Sequence, residues 1–376
     1  MVDYRITAQE RARFKRCRRQ WDFTPPHRRN LRSSGAVEPA LPDALKDALA
    51  VYYYPGTWDW QHEVTQPLVH KALERSLTDA GATEMLDRGA ALLDCYDAWA
   101  TSIDDFAPVK INLDTEALVP DPDDPECGLL VHDGSPVIYT CRIDLVAMDA
   151  ADEYWVVCHH IVDEWQDIDR LDRDEQAVAA CWAFEHDYIG LQIAGTIHNE
   201  VRIAGPLKFP SAASALKRTP KAVAQHEPSG GGRSLPQHQR VSAQASRGNT
   251  TNRIEQRTAG ALRRTRIRRS RHEINSSGMV IAAEAVDMTG WPTIYPTFAA
   301  HCRDCEFRAP CSAITEGSDA EPLLQADFQR AHNEPSKPRL GQSTWGFGRG
   351  AAPPGWWSPG VGPKRPGRCR APAPNA

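Results

Sequence analysis

Apolar positions recur along this chain first at helical and then at strand spacing. In the opening segment Ile6, Phe14, Trp21 and Phe23 stand among arginines, and Thr7 precedes Ala8–Arg11 as an N-cap would, so a helix is predicted from about residue 8 to 22. Over 66–80, Val69, Leu73 and Leu77 share one helix face, while His70 and Glu74, four apart, share a neighbouring one. A further helix is predicted near 83–103. From Val109 the period shortens to short strands broken by the turn-rich VPDPDDPECG, and 137–150 and 153–162 then read as two strands closed into a hairpin by the acidic turn 149–153. Residues 172–190 return to a helix that turns Val178, Cys181, Trp182 and Phe184 to a core, and 192–203 reads as another strand. Helix, three strands, helix, strand is the order of an α/β sandwich.

The pattern divides the chain into an α/β core over 1–204, an aperiodic stretch rich in Pro, Ser, Gln, Gly and Arg over 205–261, a basic segment with a helix and clustered cysteines over 262–328, and a Gly/Pro/Trp-rich tail over 329–376. The second reads as a low-complexity basic loop or linker and the tail as disordered. In the third, 262–274 is expected to form an extended edge or a basic arm, and 276–288 a helix. There is no internal repeat.

Composition narrows the class. With 41% hydrophobic and 25% charged residues, the 376-residue chain is neither fibrous nor wholly disordered. No run approaches the roughly 18 apolar residues of a membrane helix, and the start lacks the apolar stretch of a secretory signal, so a cytoplasmic protein is expected. Ten cysteines in a reducing compartment then call for a metal, a cluster or plain burial rather than disulfides.

A net charge of −5 conceals strong segregation: +7 over 1–32, −25 over 33–206 and +13 over 207–272. A simple DNA-binding domain would be basic throughout. This distribution suits a phosphate-binding rim around a carboxylate-rich metal site, or an acidic body with basic arms. Arg16, Arg18 and Arg19, interleaved with Phe14 and Trp21, and the run Arg263, Arg264, Arg266, Arg268 and Arg269 are the expected nucleic-acid contacts, joining base stacking to phosphate pairing.

The sharpest chemical signal is HCRDCEFRAPC, where Cys302, Cys305 and Cys311 form C-x2-C-x5-C. Three thiolates at this spacing supply most of the shell of an iron–sulfur cluster or a zinc ion, and both need a fourth ligand. Cys17 is the candidate, which would pin the N-terminal helix to the far end of the chain. A zinc ribbon completed by His301 or Cys369 is the alternative. Cys95, Cys127, Cys141 and Cys181 sit in ordinary contexts and read as buried small hydrophobes.

An N-terminal Cys in a basic, aromatic helix, a helical His-x3-Glu, an Ile-Asp-Leu strand entering a hairpin, a helix with an early Gln and a closing C-x2-C-x5-C together resemble the iron–sulfur branch of the PD-(D/E)xK nuclease superfamily, the RecB-like and CRISPR-adaptation nucleases. The resemblance covers roughly 5–202 and 262–312. It implies a restriction-endonuclease-like core, a mixed sheet flanked by helices, with a 4Fe–4S cluster at Cys17, Cys302, Cys305 and Cys311 and DNA, single-stranded or at ends, as partner. It further implies a Mg2+ or Mn2+ site using His70 and Asp144, and Gln176 as the helical catalytic Gln, although the aromatic expected four residues on is Ala180.

Where the pattern asks for Asp-x-Lys, the sequence reads Cys158-His159-His160. Cys158 thus takes the position of the second metal ligand and His160 that of the lysine. A thiol in place of a carboxylate removes a charge and a hard oxygen donor, so magnesium should bind weakly and cleavage should be weakened or lost. His160 replaces the lysine only in part. No lysine occurs from residue 111 to 207, so a migrated one is expected to be Lys71 or Lys110. Soft Cys158, with His159 or His160 and Asp144, would instead favour manganese, iron or zinc.

Overall fold

The computed structural model describes residues 3–34, 40–205, 253–290 and 292–330. The stretch 206–252, which holds most of the expected linker, and nearly all of the expected tail lie outside them. In chain order the elements are β1 (Tyr4–Thr7), α1 (Ala8–Arg16), α2 (Arg18–Phe23), β2 (Leu31–Ser33), α3 (Ala40–Tyr52), α4 (His62–Asp79), α5 (Leu86–Ile103), β3 (Phe106–Leu118), β4 (Val137–Asp149), β5 (Tyr154–Val162), α6 (Ile168–Asp172), α7 (Glu175–Asp187), β6 (Ile193–Arg202), β7 (Ile254–Ala259), β8 (Leu262–Arg268), α8 (Arg271–Thr289), α9 (Arg308–Thr315), α10 (Glu321–Asp327) and β9 (Phe328–Arg330). No helix among the described residues is long and apolar enough to cross a membrane.

Seven strands form one mixed sheet. β3, β4 and β5 make an antiparallel meander, α7 crosses over, and β6 returns parallel to β5, followed by antiparallel β8 and β7. β4 pairs along its length with β3, so its other edge is shared: parallel β1 takes 137–140 and antiparallel β5 takes 145–148. Between them, 141–144 have no strand partner on that edge among the described residues. There β5 parts from β4 and runs on beside β6.

The alternation of apolar residues in the strands dictates two cores. Ala147 and Val157 face Leu45 and Leu49 of α3, Leu73 of α4 and Tyr96 of α5. Their neighbours Val146 and Val156 face Trp182 and Phe184 of α7 and Ile281 of α8, with Phe14 and Trp21 from the N-terminal helices. Helices therefore cover both faces of the sheet. A third, small core stacks Phe23 on Phe307 and Phe307 on Phe328, with ring centroids 4.8 and 4.6 Å apart. With the β2–β9 pair, it fastens the C-terminal segment to the N-terminal one.

Three expectations need correction. The helix foreseen over 8–22 is two helices, broken at Cys17, whose backbone is extended at φ −165° and ψ 113°. The basic segment from 262 is no arm or edge: β8 lies inside the sheet between β6 and β7, and the β7–β8 hairpin begins within the stretch read as linker. Helix α3 was not foreseen at all, although Leu41, Leu45 and Leu49 mark its buried face.

Candidate functional site

The break at Cys17 brings its thiol to the C-terminal cysteine segment. The Thr297 amide donates to Cys17 Sγ at 3.5 Å, and the Arg19 guanidinium, one residue into α2, donates to the Cys311 carbonyl at 3.2 Å and points at its sulfur at 3.6 Å. Burial raises the Cys305 thiol above its ordinary pKa, opposed by the Phe307 amide and reinforced by Cys17, Cys311 and Cys302 around it. The four cysteines thus form one neighbourhood of thiols, with N–H donors of the kind that steady thiolate ligands. Among the described residues, however, the one group of three or more His, Cys, Asp or Glu ligand atoms within 4.8 Å of one another is elsewhere.

Asp144 occupies the fork where β5 leaves β4. Its Oδ2 accepts from the His159 amide at 2.9 Å and lies 3.7 Å from Nζ of Lys46. Burial opposes ionisation of Asp144, but Lys46, the His159 ring and that amide outweigh it and hold the carboxyl below its ordinary pKa. The lysine beside Asp144 is Lys46 of α3, neither Lys71 nor Lys110; the Lys110 ammonium sits over the Tyr188 ring instead. The absence of lysine from 111 to 207 is a fact about the strands, and a helix packed across their face is not bound by it.

Alternation along β5 separates the three residues after Val157. His159 points to the α3–α5 side, stacked on Tyr53 with centroids 5.6 Å apart, and burial drives its pKa down to about 4. Cys158 and His160 point to the other face, where His198 of β6 joins them; the ligand atoms of these three lie within 4.8 Å of one another. His160 Nε2 and His198 Nδ1 are 3.0 Å apart, and His198 Nε2 is 3.1 Å from the Thr196 hydroxyl. Burial keeps both imidazoles neutral, His198 down to about 3, and raises the Cys158 thiol well above its ordinary value, with Asp144 adding to the effect. A Cys/His/His group able to hold a metal ion therefore exists, in place of the His70, Asp144 and Cys158 set foreseen. His198 was missed because nothing in its local sequence distinguishes it. His70, on α4, is taken up by Asp94 of α5 at 3.0 Å.

His160 and Gln176 line the same cleft of about 400 Å3, with Arg11 and Lys15 of α1, Arg170 of α6 and Arg173 just beyond it. Arg11 and Lys15 are held by Glu284, whereas Arg170 and Arg173 are exposed.

Most of the expected nucleic-acid contacts are corrected by burial. Phe14 and Trp21 are core residues at 5% and 0% exposure, so neither can stack on a base. Arg263 pairs with buried Glu200 at 2.5 Å, and Arg264 with buried Asp104 at 2.7 Å. Arg266 bridges Asp105 and Asp149, Arg268 holds Glu153, and buried Arg269 binds the Leu171 carbonyl and the Asp172 side chain. Arg18 pairs with Asp287 and lies over Phe14, and Arg16 remains exposed. The signal that pointed to this was the charge segregation itself, since a segment of +13 beside a body of −25 has its counterions within the chain. No protein-family model matches the chain, and the search of curated proteins finds no match to it.

Proposed function

We propose that the chain is a DNA-binding protein of the PD-(D/E)xK type carrying a 4Fe–4S cluster on Cys17, Cys302, Cys305 and Cys311, with magnesium-dependent phosphodiester cleavage weakened or lost. The observation that carries this reading is the half-buried Asp144 carboxylate at a strand fork, 3.7 Å from a lysine ammonium, in an antiparallel meander followed by a helical crossover and a parallel strand. A divalent ion at such a fork supplies a polarised phosphate and an activated water. Asp144 offers it one hard oxygen, Lys46 offers a cation for developing phosphate charge, and Arg170 and Arg173 offer exposed contacts for the strand. Cys158, where a second carboxylate is wanted, withdraws a hard ligand, and the loss amounts to several kcal/mol, roughly a thousandfold in rate. The N–H donors at Cys17 and Cys311 are of the kind that steady the thiolates of such a cluster.

The test is an anaerobic preparation of the full chain assayed for iron, for single-stranded DNA binding against salt and for cleavage with magnesium. About four irons per chain are expected, lost in Cys17→Ser. Replacing Arg170 and Arg173 with alanine should lower the slope of log affinity against log salt by roughly 1.4, two phosphate contacts on a single strand. A preparation free of iron that shows no salt-dependent DNA binding overturns the reading. Fast magnesium-dependent cleavage abolished by Asp144→Asn would overturn the loss of activity.

A further inference from the structure

We infer that Cys158, His160 and His198 form a metal site of their own for a borderline-soft divalent ion of the zinc class, distinct from Asp144 and from the four-cysteine centre. This inference is independent of the nuclease reading, because it rests on donor chemistry and geometry alone. Cys158 and His198 are register partners on parallel β5 and β6, so their side chains leave the sheet side by side on one face. His160, two residues along β5, leaves on the same face. The result is one sulfur and two imidazole nitrogens within 4.8 Å of one another. That donor set is soft to borderline, and it selects zinc over magnesium, which demands oxygen.

Three features support a bound ion. First, the 3.0 Å between His160 Nε2 and His198 Nδ1 is close to the about 3.3 Å edge that two imidazole nitrogens subtend at a tetrahedral zinc. Second, with Nδ1 turned to the metal, His198 carries its proton on Nε2 and donates it to Thr196 Oγ1, 3.1 Å away, which also accepts from Arg269 at 3.3 Å. An imidazole held from behind in this way is the usual outer arrangement of a metal-bound histidine. Third, His160 also lines the cleft of about 400 Å3, so a fourth ligand can reach the group from solvent. Three protein ligands with an open fourth position are the arrangement of a reactive zinc rather than a structural one. His159 has no part in the site, being on the opposite face.

The experiment is a titration of the full-length protein as purified, first with Co2+ and then with Zn2+. One equivalent of cobalt should give tetrahedral d–d bands and a thiolate charge-transfer band, and zinc should displace it. X-ray absorption at the zinc edge should report one sulfur in a shell otherwise of nitrogen and oxygen. Cys158→Ser should remove the charge-transfer band, and His160→Gln should weaken binding by more than about 100-fold, since even outer partners of a ligand are worth 10–100-fold. Thr196→Val retains all three ligands and should weaken binding by about 10–100-fold, a loss that would not arise if His198 were merely packed. Cys302→Ser should leave these bands unchanged. Identical titrations for the wild type and Cys158→Ser, a shell of sulfur alone, or loss of the bands in Cys302→Ser would each overturn the site.

Discussion

Replacing Arg264 with methionine should be among the most damaging single changes in the sheet, although the residue belongs to an arginine run that looks like a nucleic-acid surface. The guanidinium is buried between β6 and α5. Its Nη1 lies 2.7 Å from Asp104 Oδ1, Nε donates to Asn199 Oδ1 at 2.7 Å, and its plane lies 4.9 and 5.2 Å from the ring centres of Phe106 and Trp99. Methionine fills part of the volume but leaves the Asp104 carboxylate buried with the Tyr53 hydroxyl, 3.2 Å away, as its remaining side-chain donor. Breaking a buried pair from one side costs about 3–5 kcal/mol. Set against a total stability of about 5–15 kcal/mol, that is a third or more of the whole in many cases. Arg268→Met is the internal control: its side chain is 54% exposed, so its pair with Glu153 contributes about 0–1 kcal/mol. Urea unfolding at fixed pH, with slopes compared to check that the denatured state is unchanged, measures both. Adding Asp104→Asn to Arg264→Met should recover more than half of the loss, because the stranded charge is then gone. A cost below about 1 kcal/mol for Arg264→Met, or one equal to that of Arg268→Met, would refute the assignment of this arginine to the interior.

Two further outcomes follow from the same packing. His159 is neutral in the folded protein down to about pH 4, whereas its ordinary pKa is 6.5, so between these values the unfolded chain binds the extra proton and stability falls as the pH drops. The share of His159 between pH 7 and pH 5 is about 2 kcal/mol, and His159→Gln should reduce the fall in urea-derived unfolding free energy over that range by about that amount. Gly278 of α8 has no room for a side chain, since a Cβ there would stand 2.4 Å from Trp182 Nε1 and 2.7 Å from Cε2. Gly278→Ala should therefore destabilise by about 1–2 kcal/mol in a thermal or urea melt despite the better helix propensity, and a stabilised variant would show that Trp182 can move.

Local pattern carried much of this molecule. The meander, the crossover helix and the strand after it are legible because each buries alternate or every third to fourth residue, and period is a property of neighbours in the chain. Asp144 was legible only through the resemblance of Ile143-Asp144-Leu145 to the Ile-Asp-Leu strand of a known family, since its neighbour Arg142 is charged as well. What the sequence did not disclose is which residues meet across elements. Lys46 reaches Asp144 from a helix almost a hundred residues earlier, and His198 joins Cys158 and His160 only because β6 lies parallel to β5 in one register. The arginines of β8 show the limit most plainly. Sequence determined that 262–268 is positively charged and, by its Leu262 and Ile267, able to sit in a sheet; the tertiary structure decided that the charge faces Glu200, Asp104 and Asp149 rather than solvent. Charge is a property of a residue, but the dielectric around it and the partner opposite it belong to the fold, and these decide whether an arginine greets a phosphate or holds a strand in place.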